Sequence, residues 1–73
     1  MSAVSRAVRL LALLRLLGAH PAGLTTREIA ERLGVSPRTV QRDLIEVQAE
    51  PLYAPLWQDD GYRWRIMTGY DMM

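Results

Sequence analysis

Residues Leu24–Val47, LTTREIAERLGVSPRTVQRDLIEV, carry two complete sets of helix start and stop signals. Thr25 is placed to accept from the backbone at a helix start, and Glu28, three residues later, closes a capping box. Leu24 before the cap and Ile29 after it fit a hydrophobic staple. Gly34 follows Leu33 and suits the left-handed position that ends a helix. Ser36 then caps a second helix, with Pro37 at its first position, where no amide donor is missed. Dense punctuation of this kind marks two short helices joined by a tight turn.

That arrangement is a helix-turn-helix, a motif that presents its second helix to the major groove of DNA. In the first of the two helices Ile29, Ala30 and Leu33 point inward, while Glu28 and Arg32 form an i,i+4 pair of about 0.2–0.5 kcal/mol. This helix balances both signs of charge and suits a position across the DNA backbone. The second of the pair is expected from Pro37 to about Glu50, where Pro51 stops it. Val40, Leu44 and Val47 recur at i, i+4, i+7 and face the core. The opposite face holds Arg38, Arg42, Glu46 and Ala49, flanked by Thr39 and Gln41. Arg38 and Arg42 lie one turn apart, so their guanidinium groups project together toward base edges or flanking phosphates. A solvated face with an Arg42–Glu46 pair is the bland alternative. The place of the arginines in the first two turns of a capped second helix favours DNA. Ile45 is the misfit, an apolar residue on the outer side, suited to packing on the following segment or to a subunit contact.

Upstream, a helix is expected from Ser2 or Ser5 to Leu17, ending at Gly18. Val4, Ala7, Leu10, Leu11, Leu14 and Leu17 share one wide face at 100° per residue. Leu13 falls at its edge and Leu16 nearly opposite, a surplus that hints at a further contact. Ala19–Gly23 reads as a loop, with His20 as a loop residue. Downstream, Leu52–Met67 reads as a short β-hairpin. Leu56–Gln58 and Tyr62–Ile66 form its strands and Asp59-Asp60-Gly61 its turn. Tyr62, Trp64 and Ile66 alternate with Arg63, Arg65 and Met67, so one face closes the core and the other holds two arginines outside. Asp59 and Asp60 at the tip repel phosphate, which shifts the expected DNA support to Arg63 and Arg65. The fold expected is mainly α with a small β-hairpin, a three-helix winged helix-turn-helix spanning 1–67. Residues 68–73 form a tail or the start of a linker.

Composition bounds the function. The chain has 73 residues, enough for one thin-cored domain. It has no cysteine, which removes disulfides, thiolate metal sites and cysteine nucleophiles and fits a reducing cytoplasm. One isolated histidine and no phosphate-cradling glycine loop leave little for an enzyme, so neither catalysis nor a cofactor or metal is expected. Arg6 and Arg9 before LLALLRLLGA imitate a signal peptide, with cleavage near Ala22. Arg15 interrupts that run, which falls short of the ~20 apolar residues of a membrane span, and its helical period marks a core helix of a cytoplasmic protein. The net charge of +1 is too small to grip nucleic acid strongly with one copy. All nine basic residues are arginine, forked donors for phosphate and guanine, although codon bias also yields this usage. A winged-helix protein–protein interaction module is the alternative function.

The order LRLL, LTTREIAERLGVSPRTVQRDL, a proline-terminated helix and DGYRW resembles the N-terminal winged helix-turn-helix of DeoR-type bacterial regulators, closest to those bearing a WYL effector domain. The resemblance runs from about Arg6 to Arg65. Its most specific parts are Leu33-Gly34-Val35-Ser36, Arg38-Thr39-Val40, Arg42-Asp43-Leu44 and Gly61-Tyr62-Arg63. It implies DNA reading through Ser36, Pro37, Arg38, Thr39, Gln41 and Arg42, to which the charge pattern of the hairpin adds Arg63 and Arg65. Thr25 and Thr26, at the start of the preceding helix, complete the candidate DNA-binding set. It also implies double-stranded DNA as partner, action as a homodimer or as part of a larger regulator, and repression of transcription. Ile45 departs from the pattern, standing where a polar residue is common, and so does the acidic wing tip. Ligand sensing by an effector domain does not carry over to these residues.

Overall fold

A computed structural model describes residues 5–67. Among them the chain forms α1 (Arg6–Gly18), β1 (Leu24–Thr25), α2 (Thr26–Leu33), α3 (Pro37–Gln48), β2 (Leu56–Gln58) and β3 (Arg63–Ile66). The strands make one antiparallel sheet in the order β1-β3-β2. This is the expected three-helix winged helix-turn-helix. The tail, and Ser2 as an alternative start of α1, lie outside the described residues.

Each helix begins where its cap dictates. Ser5 accepts from the Val8 amide at 3.3 Å. Thr25 accepts from the Glu28 amide at 3.2 Å while the Glu28 carboxylate accepts from the Thr25 amide at 2.9 Å, which completes the capping box. Ser36 accepts from the Thr39 amide at 3.1 Å, with Pro37 opening the helix. Gly34 sits at φ 72°, and the Gly34 and Val35 amides both return to the Ala30 carbonyl, closing α2 in a Schellman-like turn.

The core is a single cluster built from Leu10, Leu13, Leu14, Leu17, Leu24, Ile29, Ala30, Val40, Leu44, Val47 and Ala54, with Trp64 and Ile66 of the wing packed against it. Leu24 and Ile29 are both buried, as a staple requires. The inward face of α1 differs from the expected one. Leu13 is fully buried and Leu11 is 49% exposed, with Val8 and Ala7 also outside. The buried stripe is therefore Leu10, Leu13, Leu14 and Leu17, rotated by about 60° from the widest apolar face. The surplus apolar side chains are Val8 and Leu11 rather than Leu13 and Leu16; Leu16 packs on the core. The rotation follows from a polar contact, because Arg9 must face Asp43 of α3. At its other end α1 runs through Gly18, and Ala19 caps it in a right-handed conformation. His20 Nδ1–H donates to the Leu16 carbonyl at 2.9 Å, so this loop residue helps to finish the helix.

Two boundaries also move. Helix α3 ends at Gln48 rather than Glu50, since Ala49 is already extended and Ala54 folds back to donate to the Val47 carbonyl at 2.8 Å. That return puts Ala54 in the core. Strand β1 is the element that composition concealed, because a two-residue strand leaves no periodicity to read. It pairs Leu24 with Trp64 and Thr25 with Arg63.

The wing turn lies one residue later than Asp59-Asp60-Gly61 suggested. Asp59 still pairs with Arg63, and Tyr62 takes the left-handed position at φ 62°. The loop is thus Asp60-Gly61-Tyr62, a turn followed by a left-handed residue, and β3 starts at Arg63. Asp59 is not a free tip charge. Its carboxylate accepts from the Gly61 amide at 2.9 Å, the Arg63 amide at 3.0 Å and Arg65 Nε at 3.0 Å. Arg65 is correspondingly half-buried, and its guanidinium lies 5.4 Å from the Trp57 ring centroid.

Gly23 joins the halves of the fold. It is buried at φ +87°, and a Cβ there would stand 2.9 Å from Arg63 Cβ and 2.9 Å from Arg65 Cγ. Gly23→Ala combines backbone strain with a clash against β3. We expect a loss of about 2–4 kcal/mol, read by chemical denaturation. The Arg63 amide, then the Gly61 amide and Arg65, hold the Asp59 carboxyl below its ordinary range. The unfolded chain binds this proton more readily, so the stabilisation is present above the ordinary carboxylate range, around pH 4, and is lost as pH falls through the lowered value. Denaturation curves at descending pH are expected to show that loss in the wild type and a flatter dependence in Asp59→Asn.

Candidate nucleic-acid interface

Helix α3 turns Val40, Asp43, Leu44 and Val47 inward. Its outer face therefore presents Arg38, Gln41, Arg42 and Ile45, all exposed. Ile45 is 69% exposed among the described residues. Arg38, Gln41 and Arg42 occupy the first two turns, directly after a cap that fixes the helix start. Among the described residues neither Arg38 nor Arg42 holds a carboxylate partner. The Arg42–Glu46 pair of the bland alternative is not formed; Glu46 pairs instead with Arg6 of α1. Arg42 is left with its guanidinium donors open to solvent.

The remaining candidates divide by how much of their chemistry is already engaged. Ser36 and Pro37 are exposed at the α3 start. Ser36 donates to the Thr39 hydroxyl at 3.1 Å, so Thr39 is half-buried and tied to the cap. Thr25 serves the α2 cap, and Thr26 is the half-buried first residue of that helix. Arg63 is exposed at the start of β3, directly after the wing turn and not at the wing base, and it lies next to the cap of α2 across the β1–β3 pairing. Arg65, expected outside with Arg63, is instead pinned to Asp59 at 2.9 Å. The structure thus gathers Ser36, Pro37, Arg38, Gln41 and Arg42 on α3 and separates Arg65 from them in chemistry.

Electrostatics reinforce this geometry. The Thr25 amide is the main cause that lowers the Glu28 carboxyl pKa, with Arg63 and Arg32 adding to it. Glu28 therefore serves the cap first, and Arg32 acts on it at a distance instead of forming the anticipated pair. The residue that sequence reasoning passed over is Asp43. It is 2% exposed and accepts from Arg9 twice, once from Nε and once from a terminal nitrogen at 3.0 Å. These hydrogen bonds push the Arg9 pKa up against the opposing effect of desolvation. The signal was present: Asp43 falls at i+3 from Val40 and next to Leu44, inside the inward stripe. No described helix is long and apolar enough to cross a membrane.

No curated protein and no solved structure matches the chain. A family model described as an HTH domain matches residues 9–53, from Arg9 of the ion pair through the end of α3 to Tyr53. That span is more than half of the chain and contains the caps of α2 and α3, so the chain belongs to the HTH domain family of helix-turn-helix DNA-binding domains.

Proposed function

We propose that this domain binds double-stranded DNA sequence-specifically and regulates transcription, with α3 in the major groove. The observation that carries the reading is the row Arg38, Gln41 and Arg42, exposed and, among the described residues, without carboxylate partners, on a helix whose opposite face is fixed in the core. Forked arginine donors suit guanine O6 and N7, and glutamine suits adenine N6 and N7. Ser36 and Pro37 lie where the first amides of α3 meet a backbone phosphate. Thr25 and Thr26 hold the start of α2 over the same strand, and Thr39 supports the cap. In the wing Arg63 supplies the phosphate contact. Arg65 acts mainly by holding the hairpin through Asp59.

The resemblance of the motif to DeoR-type regulators with WYL effector domains supports the further reading that the domain acts in a homodimeric or larger repressor in the cytoplasm. The net charge of +1 fits this assembly, because two copies double the phosphate contacts and set half-sites one helical turn, about 34 Å, apart. An interaction module that does not read DNA is the competing function, and exposed Val8, Leu11 and Ile45 suit it.

Selection of bound sequences from random duplex DNA separates the two. The intact domain is expected to yield a defined motif, two-fold symmetric if it dimerises. Arg42→Ala is expected to relax one base position, losing about 1–3 kcal/mol of discrimination there. No motif from the intact domain overturns DNA reading. In the wing, Arg63→Ala is expected to reduce the slope of log K against log salt by about 0.9. Arg65→Ala is expected to change that slope less and the folding stability more, as measured by the same titrations and by thermal melting.

A further inference from the structure

A cleft of about 330 Å³ opens between the first turns of α1 and the side of α3, lined by Arg6, Arg9, Thr39, Arg42, Asp43 and Glu46. It holds three guanidinium groups against two carboxylates, an excess of one positive charge. The three arginines are not equivalent. Arg9 is committed to Asp43, whose side chain is 3% exposed. Arg6 touches Glu46 through one terminal nitrogen, with side-chain exposures of 61% and 40%. Arg42 has no carboxylate partner among the described residues. A buried, two-point pair does not exchange its partner readily, whereas an exposed one-point pair does.

We infer that this cleft receives a DNA backbone phosphate, held by Arg6 beside the base-reading Arg42, with Arg6 leaving Glu46 as it binds. The inference rests on the proposed DNA-binding function and adds α1 to the contact surface. The position favours a phosphate over a base. Arg6 reaches the cleft from a neighbouring helix, along the flank of α3 that carries Thr39, Asp43 and Glu46, not along its outer row. Groups flanking a helix in the groove meet the sugar-phosphate rim. Guanidinium forks match phosphate oxygens, and Arg6 lies in the first turn of α1, where the helix dipole also favours an anion. Glu46 then acts as a placeholder that keeps Arg6 over the cleft and sets a threshold for its release.

The test compares wild type, Arg6→Ala, Arg6→Lys and Glu46→Gln on a selected duplex and an unrelated one, at roughly 50 to 200 mM salt. One lost phosphate contact lowers the salt slope by about 0.9. Arg6→Ala is therefore expected to show that reduction on both duplexes while keeping the selected motif. Its deficit relative to wild type is expected to shrink about 3.5-fold across the salt range. Arg6→Lys retains most of the slope, which excludes a simple loss of fold. Glu46→Gln binds both duplexes more tightly than wild type. A wild-type slope and affinity in Arg6→Ala overturns the inference and leaves the proposed function standing. Failure of the wild type to bind any duplex overturns both. Inorganic phosphate is the other source of the same chemistry. If it shifts the Thr39 and Arg42 amide resonances in wild type but not in Arg6→Ala, while DNA slopes stay equal, the ligand is free phosphate and the DNA assignment falls.

Discussion

A carboxylate buried in the middle of α3 has to be matched, and Arg9 of α1 matches it. Removing one partner of such a pair strands a charge in the interior, a cost of about 3–5 kcal/mol in other proteins. That is large beside the thin core of a 73-residue chain. The pair sets how α1 is turned about its axis, which is why Leu13 is inside and Leu11 outside. It also separates two adjacent residues with opposite tasks. Asp43 is locked inward, and Arg42, the next residue back, is held on the outer flank with its donors open. A hydrophobic contact sets depth but tolerates rotation; a two-point ion pair fixes an angle.

What could be read from the sequence was local. Thr25, Glu28, Gly34, Ser36 and Pro37 act within a few residues of themselves, so their spacing alone predicted caps that the structure reproduces. The inward stripe of α3 was equally legible, because Val40, Leu44 and Val47 obey one period. The outward row Arg38, Gln41 and Arg42 followed from it by subtraction. The reading of α1 went astray because its apolar residues outnumber the places available to them. With leucine at Leu10, Leu11, Leu13, Leu14, Leu16 and Leu17, periodicity cannot choose the face, and the choice fell to Arg9, a polar residue. Gly23 and β1 were illegible for a related reason. Their meaning lies in Arg63 and Trp64, some forty residues away.

The wing shows how a charge count can mislead. Two adjacent aspartates at a hairpin tip look like a repulsive cap on a DNA-facing element. Their environments differ: Asp60 is exposed, while Asp59 receives two amides and an arginine. The pair Trp57 and Arg65, opposite each other across β2 and β3, is tightened by the same carboxylate and by the ring beneath the guanidinium. One acid and one base thereby become structural, and Arg63 and Asp60 remain as the outward charges of the wing.

The strand order β1-β3-β2 carries a consequence for when the domain becomes rigid. Strand β3, the last of the described elements, is the middle strand, and among the described residues β1 has no other neighbour in the sheet. The residue that caps α2 therefore gains its lateral support only when Arg63 arrives to pair with Thr25. Closing so long a loop is slow compared with winding a helix, although its entropy grows only logarithmically with length. During synthesis the two helices of the motif are made early and remain unclamped until the wing has been translated. Assembly is thus ordered by connectivity: the helix pair is braced by a strand made after both of its members.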